Sequence, residues 1–243
     1  QWGNHDIIWM GAFFGSNACL LNVLRIAARY GYLWDIEKDY GLNLRSLTLF
    51  ADKTYQSNPK FRPILGGREQ EFSDEEILQL EKVHQALAII QFKLENQLIR
   101  RRPEFQMQDH VMLDKIDYWE ESVTIDDTKH PLVNTCFQTV NPENPSVLTP
   151  EENQAVDSML ASFQSSLKMA EHMSLLMNKG SMYKIYNQHL LFHGCIPLEP
   201  SGEFQPFILN QAHYAGKELL DFFEYHIRQA AKDKEVGDDL STD

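Results

Sequence analysis

Hydrophobic residues recur at intervals of three and four over two long stretches of the chain, and this spacing predicts two amphipathic helices. The first begins at the capping box Ser73–Glu76 and ends before Pro103. The second begins at the capping box Thr149–Glu152 and ends at Gly180. The apolar positions of the two helices are Leu80, Val83, Leu87, Ile90, Leu94 and Leu98, and Val156, Leu160, Phe163, Leu167, Ala170 and Met173. Because the two series have the same spacing, we expect the helices to pack as an antiparallel pair.

Shorter apolar patterns predict further helices on both sides of this pair. The stretch Ile7–Tyr30 predicts one buried or half-buried helix, and residues 42–55 predict a second, amphipathic one. A third amphipathic helix is predicted from about residue 213 to residue 231. Residues 232–243 are polar and acidic without an apolar face, which predicts a solvated tail.

Alternating apolar and polar residues predict a smaller number of strands. Residues 181–194 predict two strands joined by a tight turn at Asn187 and Gln188. Short strands are also predicted at Ser122–Ile125 and at Pro131–Val133. Together these patterns predict an α+β protein that is dominated by helices.

The charge balance argues against a nucleic-acid partner. Asp and Glu total 35 against 22 Lys and Arg, which gives the 243-residue chain a formal net charge of −13 at pH 7. Binding to a phosphate backbone needs a surplus of positive charge. A small anionic substrate remains compatible with this charge, because a bound metal ion can reverse the local field.

The three cysteines, Cys19, Cys136 and Cys195, lie far apart and form no CxxC pair. We therefore expect three reduced thiols and a cytoplasmic protein. No run of about 18 apolar residues is present, so no membrane span is predicted. Because the sequence opens with Gln1 and not with an initiator Met, we expect it to begin inside a longer chain.

The segment Gly3-Asn4-His5-Asp6 is the first candidate site, because it lies at a turn before a predicted helix, where α/β proteins project reactive groups. The amide oxygen of Asn4 can ligate a divalent cation. His5 can donate a proton or a charge-assisted hydrogen bond to a phosphate oxygen, and Asp6 can fix the orientation of His5. The alternative is a polar turn in which Asn4 or Asp6 caps the following helix.

His193 and two arginines complete the candidates. His193 ends an apolar strand and precedes Gly194, which is how metallohydrolases present an imidazole to a metal. The alternative is a histidine whose ring is satisfied by a backbone carbonyl. Arg25 and Arg29 lie one helical turn apart and could bind a substrate phosphate bidentately; the alternative is an ion pair within the helix or a solvated face.

Five strings of residues carry a resemblance to a known family. They are QWGNHDIIWMG at residues 1–11, RRRPEF at 100–105, DKIDY at 114–118, KGSMY at 179–183 and LFHGCIPL at 191–198. The GNHD string alone resembles the signature of the calcineurin-like metallophosphatase superfamily. The five strings in this order resemble the class III (Firmicutes-type) fructose-1,6-bisphosphatases, over essentially the whole chain.

This resemblance implies a metal-dependent phosphatase that hydrolyses the 1-phosphate of fructose 1,6-bisphosphate to fructose 6-phosphate, a reaction of gluconeogenesis. It implies a dinuclear site, usually with Mn²⁺, at the strand ends of an αββα sandwich, where a metal-activated water attacks the phosphate. Asn4 and His193 would then be metal ligands. His5 would protonate the leaving alkoxide or stabilise the transition state, and Asp6 would orient His5.

Several segments of the family pattern are missing, since no Asp-x-His or Gly-Asp-x-x-Asp-Arg precedes GNHD. We therefore expect an internal fragment that carries only part of the dinuclear site. Its predicted parts are a metallophosphatase core segment over residues 1–56, a helical hairpin insertion or cap over residues 57–180, and a strand pair with a C-terminal helix over residues 181–243.

Two alternatives to this function stay open. The first is a catalytically silent helical insertion with a structural or oligomerisation role. As a cap, the insertion could order the substrate or join copies of the chain into a homo-oligomer. The second is a metallophosphatase of different specificity, such as a phosphodiesterase or a protein phosphatase.

Overall fold

Residues 1–236, the part of the chain that the computed structural model describes, contain eight α-helices and seven short strands. The helices are α1 (Asn4–Phe14), α2 (Asn17–Arg29), α3 (Leu33–Tyr40), α4 (Arg45–Thr54), α5 (Asp74–Arg101), α6 (Pro150–Ser165), α7 (Leu167–Lys179) and α8 (Gly216–Val236). The strands are β1 (Ile116–Asp117), β2 (Ser122–Ile125), β3 (Thr128–Pro131), β4 (Tyr183–Tyr186), β5 (His189–Phe192), β6 (Phe207–Leu209) and β7 (Ala212–Tyr214). The predicted helix-dominated α+β class is confirmed.

Two helices replace the single helix predicted for Ile7–Tyr30. Gly15 ends α1 in the left-handed conformation (φ 112°), which glycine adopts at little cost. The Ser16 hydroxyl then accepts a hydrogen bond from the Cys19 N–H (3.3 Å) and begins α2. The prediction of one continuous helix was wrong because a helix stop and a new cap lie inside one apolar stretch.

The helices predicted at residues 42–55 and from residue 213 exist with different bounds. In the first region α4 begins at Arg45, and the preceding helix α3 was not predicted, since Leu33 is its one buried residue. In the second region Ala212–Tyr214 pairs with β6, so that α8 begins only at Gly216. The acidic tail predicted from residue 232 begins inside α8, and residues 237–243 lie outside the described residues.

Both predicted capping boxes begin helices where expected. The Ser73 N–H donates to Glu76 (2.7 Å), and the Glu76 N–H donates to the Ser73 hydroxyl (3.2 Å) at the start of α5. Thr149 and Glu152 exchange the same two bonds, at 2.8 and 3.1 Å, at the start of α6. The second helix is interrupted, however, because the Ser166 hydroxyl accepts from Met169 N–H and begins α7 as a new helix.

The core does not form between the two long helical segments that were predicted to pair. The long helix α5 packs chiefly on α2 and α4, while α6 packs on α4 and α1. The prediction that α5 pairs with α6 and α7 along matching seams was therefore wrong, because the N-terminal helices supply the faces that cover both seams. Fully buried side chains from these helices are Leu20, Leu24, Leu47, Leu80, Leu87, Met159 and Phe163.

The strands form three separate antiparallel sheets, β1-β2-β3, β4-β5 and β6-β7. The strand predicted at Ser122–Ile125 is confirmed, whereas the one predicted at Pro131–Val133 lies earlier, at Thr128–Pro131, in register with β2. The predicted hairpin turn is confirmed by positive φ angles at Asn187 (48°) and Gln188 (63°). Within residues 1–236 these three small sheets do not confirm the expected partial αββα sandwich. None of the helices in this range is both long and apolar enough to cross a membrane.

Candidate functional site

Residues Gly3–Asp6 form the start of α1. Gly3 has extended backbone angles (φ −96°, ψ 169°), and its N–H donates to the Asp6 carboxylate at 2.8 Å. Asp6 therefore caps α1, which confirms the capping interpretation for this residue. Asp6 is half-buried, whereas Asn4 and His5 are exposed to solvent. The further role of Asp6 in orienting His5 stays a prediction.

The structure brings Asn4 and His193 together, although 189 positions separate them in the sequence. The Oδ1 atom of Asn4 and the Nε2 atom of His193 lie 3.1 Å apart. Because the amide oxygen only accepts, Nε2 carries the proton and donates it. The ring also lies against Gly3, where an added Cβ would be 3.2 Å from three ring atoms. The two residues predicted as metal ligands are thus adjacent, and the polar partner of His193 is a side chain and not a backbone carbonyl.

The β4–β5 hairpin determines where His193 lies. Tyr183 of β4 pairs with Phe192 of β5, and His193 follows Phe192 directly. Gly194 then adopts the left-handed conformation (φ 73°), which turns the chain immediately after the imidazole. His193 therefore projects from a strand end, as the apolar strand followed by glycine predicted.

His5 lines a cavity of about 560 Å³ that Asn4 and His193 do not line. The walls come from α1, α2 and α3 and include the rings of Trp9 and Tyr40, whose centroids are 5.7 Å apart. Asp39 adds a carboxylate to the wall. Sequence reasoning missed this cavity, because its apolar residues come from three helices whose packing is not visible in the linear pattern.

Arg25 and Arg29 lie on α2, the helix that packs on α5. Arg25 Nε donates to the side-chain oxygen of Gln91, and the Arg29 guanidinium lies 5.9 Å from the centroid of the Tyr30 ring. Burial lowers the pKa of His84, and the positive charges of the two arginines lower it further. Within residues 1–236 no hydrogen bond or ion pair joins either arginine to the residues around Asn4 and His193. Their role as substrate ligands stays a prediction.

Asn4 and His193 offer an amide oxygen and an imidazole nitrogen, which are donor types found around divalent cations. Elsewhere in the described range, no group of three or more His, Cys, Asp or Glu side chains could hold a metal ion. The described residues therefore supply two adjacent donors, and a complete dinuclear site needs additional ligands.

The cysteines contribute thiols and no disulfide in the described part of the chain. No disulfide involves Cys19, Cys136 or Cys195, as expected from their spacing. Burial raises the pKa of the Cys136 thiol to about 11, which keeps it protonated and unreactive near neutral pH. Cys195 is exposed and follows Gly194, close to the candidate site in sequence.

Sequence reasoning did not assign a role to Trp2 and Arg228, two residues that pack next to the Gly3–Asp6 segment. Trp2 is 1% exposed and precedes the Gly3–Asp6 segment, and the Arg228 guanidinium lies 4.8 Å from the centroid of its ring. In the linear pattern Arg228 is one of many charged positions on an amphipathic helix, so no local signal separates it from the others.

Comparisons with known proteins identify the family. The family model described as Firmicute fructose-1,6-bisphosphatase matches residues 1–243. A protein of Streptococcus sanguinis (strain SK36) named fructose-1,6-bisphosphatase class 3 is 96% identical over 243 residues, and proteins of the same name from Streptococcus gordonii and Oceanobacillus iheyensis are 82% and 50% identical. All of this chain is matched, but it spans only 38% of the length of each of these relatives. No solved structure matches it. The chain belongs to the Firmicute fructose-1,6-bisphosphatase family.

Proposed function

We propose that the protein containing this chain hydrolyses the 1-phosphate of fructose 1,6-bisphosphate to give fructose 6-phosphate, as a metal-dependent, cytoplasmic step of gluconeogenesis. The observation that carries the proposal is the 3.1 Å contact between Asn4 and His193. Asn4 was a candidate metal ligand because of its place in the GNHD turn, and His193 because of its place at a strand end. The side chains of these two candidates are in contact. The name of the 96% identical relative, fructose-1,6-bisphosphatase class 3, supports the choice of substrate.

Asn4 Oδ1 and His193 Nε2 would hold Mn²⁺ in one part of a dinuclear site. Their separation of 3.1 Å is short enough for both atoms to approach one shared ion. A metal ion on Nε2 would require the imidazole proton to reside on Nδ1. When bound, the metal ions lower the pKa of a water molecule and neutralise the phosphoryl oxygens. Further ligands would come from the part of the longer relatives that this chain does not span.

His5 is the proposed donor of a proton to the leaving sugar alkoxide. It is exposed in the first turn of α1 and lines the cavity between α1, α2 and α3, so this role would require its imidazole to turn toward a phosphate held beside Asn4 and His193. Asp6 holds the start of the helix through the Gly3 N–H, and this fixes the backbone from which Asn4 and His5 project.

The proposal also requires positive charge for an anionic substrate. A chain with a net charge of −13 repels a sugar bisphosphate unless positive groups act locally. The metal ions would supply this charge beside Asn4 and His193. Arg25 and Arg29 are proposed as further phosphate ligands, for which Arg25 would exchange its hydrogen bond to Gln91 for one to the substrate.

Release of inorganic phosphate from fructose 1,6-bisphosphate by the full-length protein, with and without added Mn²⁺, tests this function. We expect release that depends on Mn²⁺. Loss of a residue that only supports a metal ligand weakens metal binding by about 10–100-fold, and Asn4→Ala and His193→Ala should weaken Mn²⁺ binding by more than this. His5→Ala should lower kcat by about 10²–10⁴-fold at an unchanged Mn²⁺ affinity.

His130→Ala is the matched control, because His130 is an exposed histidine of β3 with no predicted role. It should retain both the activity and the Mn²⁺ affinity of the wild type. A full-length protein that spares fructose 1,6-bisphosphate and cleaves phosphodiesters would contradict the proposed substrate.

A catalytically silent, structural or oligomerisation role is the second candidate, and it concerns the 243-residue chain in isolation. It is favoured because no group of three or more His, Cys, Asp or Glu side chains within residues 1–236 could hold a metal ion. Two donors alone give weak metal binding, and we expect no phosphate release by the isolated chain. Release of phosphate by these 243 residues with Mn²⁺ would contradict the silent role.

A further inference from the structure

Trp2, which precedes the Gly3–Asp6 segment, is held by backbone groups at the end of α7. Its main-chain N–H donates to the Ser181 carbonyl at 2.7 Å, and its indole Nε1–H donates to the Leu176 carbonyl at 2.9 Å. Gly180 lies so close that an added Cβ would be 2.0 Å from Nε1. The N-terminal segment is therefore anchored to residues 176–181, which lead from α7 into β4.

The Arg228 side chain of α8 completes this anchor. Its Nη1 donates to the Met177 carbonyl at 2.7 Å and its Nη2 to the Gly180 carbonyl at 2.8 Å, while its guanidinium lies 4.8 Å from the centroid of the Trp2 ring. Carbonyls in the last turn of a helix have no partner within the helix and carry partial negative charge. Arg228 thus satisfies two carbonyls at the end of α7 and covers the indole with a cation–π contact.

Glu224, one helical turn before Arg228, connects the same anchor to the hairpin. Its Oε1 accepts from Arg228 Nε at 3.0 Å and from Nη2 at 2.8 Å, and its Oε2 accepts from the Met182 N–H at 3.0 Å. Met182 directly precedes β4, and Tyr183 pairs with Phe192 immediately before His193. Arg228 therefore contacts Trp2, two residues before Asn4, and Glu224 contacts Met182, at the start of the hairpin that leads to His193.

We propose that Arg228 is a positioning residue for the two predicted metal ligands, an inference that rests on the proposed function. Asn4 and His193 are exposed, so burial of their own side chains contributes little to holding them. Their positions depend on backbone anchors, and these anchors, through Trp2 on one side and Met182 on the other, converge on Arg228. Precise placement of ligands by such supporting contacts is what keeps a metal site ready for its ion.

Lysine is not an adequate substitute for Arg228. The guanidinium donates at once to the Met177 and Gly180 carbonyls and to the Glu224 carboxylate, and its flat face remains available to Trp2. The compact ammonium of a lysine keeps the charge but lacks the planar fork of donors. We therefore expect Arg228→Lys to give an intermediate effect and Arg228→Ala a full one.

Mn²⁺ binding by the full-length protein, followed by electron paramagnetic resonance of free Mn²⁺ without substrate, tests the proposal. We expect Arg228→Ala to bind Mn²⁺ about 10–100-fold more weakly than the wild type, with Arg228→Lys in between. At saturating Mn²⁺, kcat should return close to the wild-type value, because Arg228 contacts neither the ligands nor the substrate.

Arg68→Ala is the matched control. The Arg68 guanidinium also lies over an aromatic ring, 5.0 Å from the Tyr32 centroid, and pairs with Asp35 and Glu71. Arg68 does not contact Trp2 or residues 176–182, so Arg68→Ala should bind Mn²⁺ as the wild type does.

Two results would overturn the proposal while leaving the proposed function intact. The first arises if the wild type binds Mn²⁺ and hydrolyses fructose 1,6-bisphosphate, and both Arg228 variants bind Mn²⁺ as tightly as the wild type does. The other is an equal loss in Arg68→Ala, since this would assign the effect to general destabilisation. A wild-type protein that neither binds Mn²⁺ nor releases phosphate would overturn the proposed function together with this inference. If Arg228→Ala does not fold, the comparison of Arg228→Lys with Arg68→Ala decides.

Discussion

The Nζ atom of Lys93 and the Oε2 atom of Glu152 lie 2.7 Å apart, and neither side chain is exposed to solvent. The pair joins α5 to the first turn of α6. Lys93 also donates to the Thr139 carbonyl, and Glu152 accepts from the Thr139 hydroxyl and the Thr149 N–H. Both charges are thus surrounded by hydrogen-bond partners, which offset part of the cost of removing them from water.

We expect Lys93→Met to lower the free energy of unfolding by about 3–5 kcal/mol, because it leaves the Glu152 carboxylate buried without a counter-charge. The double variant Lys93→Met/Glu152→Gln should recover part of this loss. Urea denaturation measures both. Lys82→Met is the control, since Lys82 lies on the same helix in a partly exposed pair with Asp52 and should change the free energy by only about 0–1 kcal/mol. Equal losses for the two lysine variants would contradict the prediction.

Gly180→Ala should destabilise the protein for a steric reason alone. Gly180 has extended backbone angles (φ −91°, ψ 167°) that alanine also adopts, but its Cβ would lie 2.0 Å from Trp2 Nε1 and 2.5 Å from the Leu176 carbonyl oxygen. We expect a loss of about 1–3 kcal/mol in the free energy of unfolding, followed by circular dichroism in urea. Adding Trp2→Phe removes Nε1 and should restore part of the stability of the Gly180→Ala protein. No rescue by the second substitution would argue against this contact.

Gly3→Ala should weaken metal binding without a comparable loss of stability. Its Cβ would lie 3.2 Å from three atoms of the His193 ring, and the exposed imidazole can move aside at little cost. Although Gly3 itself is buried, the three atoms nearest the added Cβ belong to this exposed ring, so we expect the free energy of unfolding to fall by less than about 1 kcal/mol. The Asn4–His193 contact would open, and Mn²⁺ affinity in the full-length protein should fall by about tenfold or more. Wild-type Mn²⁺ affinity in this variant would contradict the shared-ion arrangement.

The buried His84 should make stability depend on pH. Burial lowers its pKa in the folded protein, and the charges of Arg25 and Arg29 lower it further, against the opposing effect of its hydrogen bond to the Phe61 carbonyl. The unfolded chain therefore takes up this proton at a higher pH than the folded one. The contribution to stability is complete above the unfolded pKa of about 6.5 and is lost as the pH falls through the folded pKa.

We expect the free energy of unfolding, measured in urea between about pH 5 and about pH 8, to decrease below about pH 6.5. His84→Gln should reduce this decrease, whereas His130→Gln, at an exposed position, should not. An identical pH dependence in the His84→Gln variant and the wild type would exclude His84 as its source.

The cysteines should differ sharply in reactivity. Cys136 is 5% exposed, and burial raises the pKa of its thiol to about 11, whereas Cys195 is exposed. Since the thiolate is the reactive form, a maleimide or disulfide reagent near neutral pH should label Cys195 rapidly and Cys136 only as fast as the protein unfolds. Peptide mass spectrometry at successive times measures both rates. Equal labelling rates in the absence of denaturant would contradict the burial of Cys136.

Features that depend on neighbouring residues were predictable from the linear pattern. Both capping boxes begin their helices at Ser73 and Thr149, and the hairpin turn occurs at Asn187, because each uses contacts among residues only a few positions apart. The break at Gly15 is also a local signal, but it lies within an apolar stretch where the 3.6-residue period alone favoured a continuous helix.

Which helix packs on which could not be read from the same pattern. An apolar seam indicates that one face of a helix is buried, but burial is non-directional, so the seam does not identify its partner. The core therefore places α4 against both α5 and α6, in place of the direct pair that equal seams favoured.

The candidate site also combines residues that local sequence identified with a contact that only tertiary packing creates. Residue type and local context were enough to select Asn4 and His193 as candidates, because a helix start and a strand end present polar groups in recognisable ways. They lie 3.1 Å apart, and the chain before Asn4 is held by Trp2, which contacts Gly180 and Arg228 from two other parts of the chain. Contacts between distant residues arise only when the helices and the hairpin pack together, so tertiary packing determined that the two candidates lie side by side.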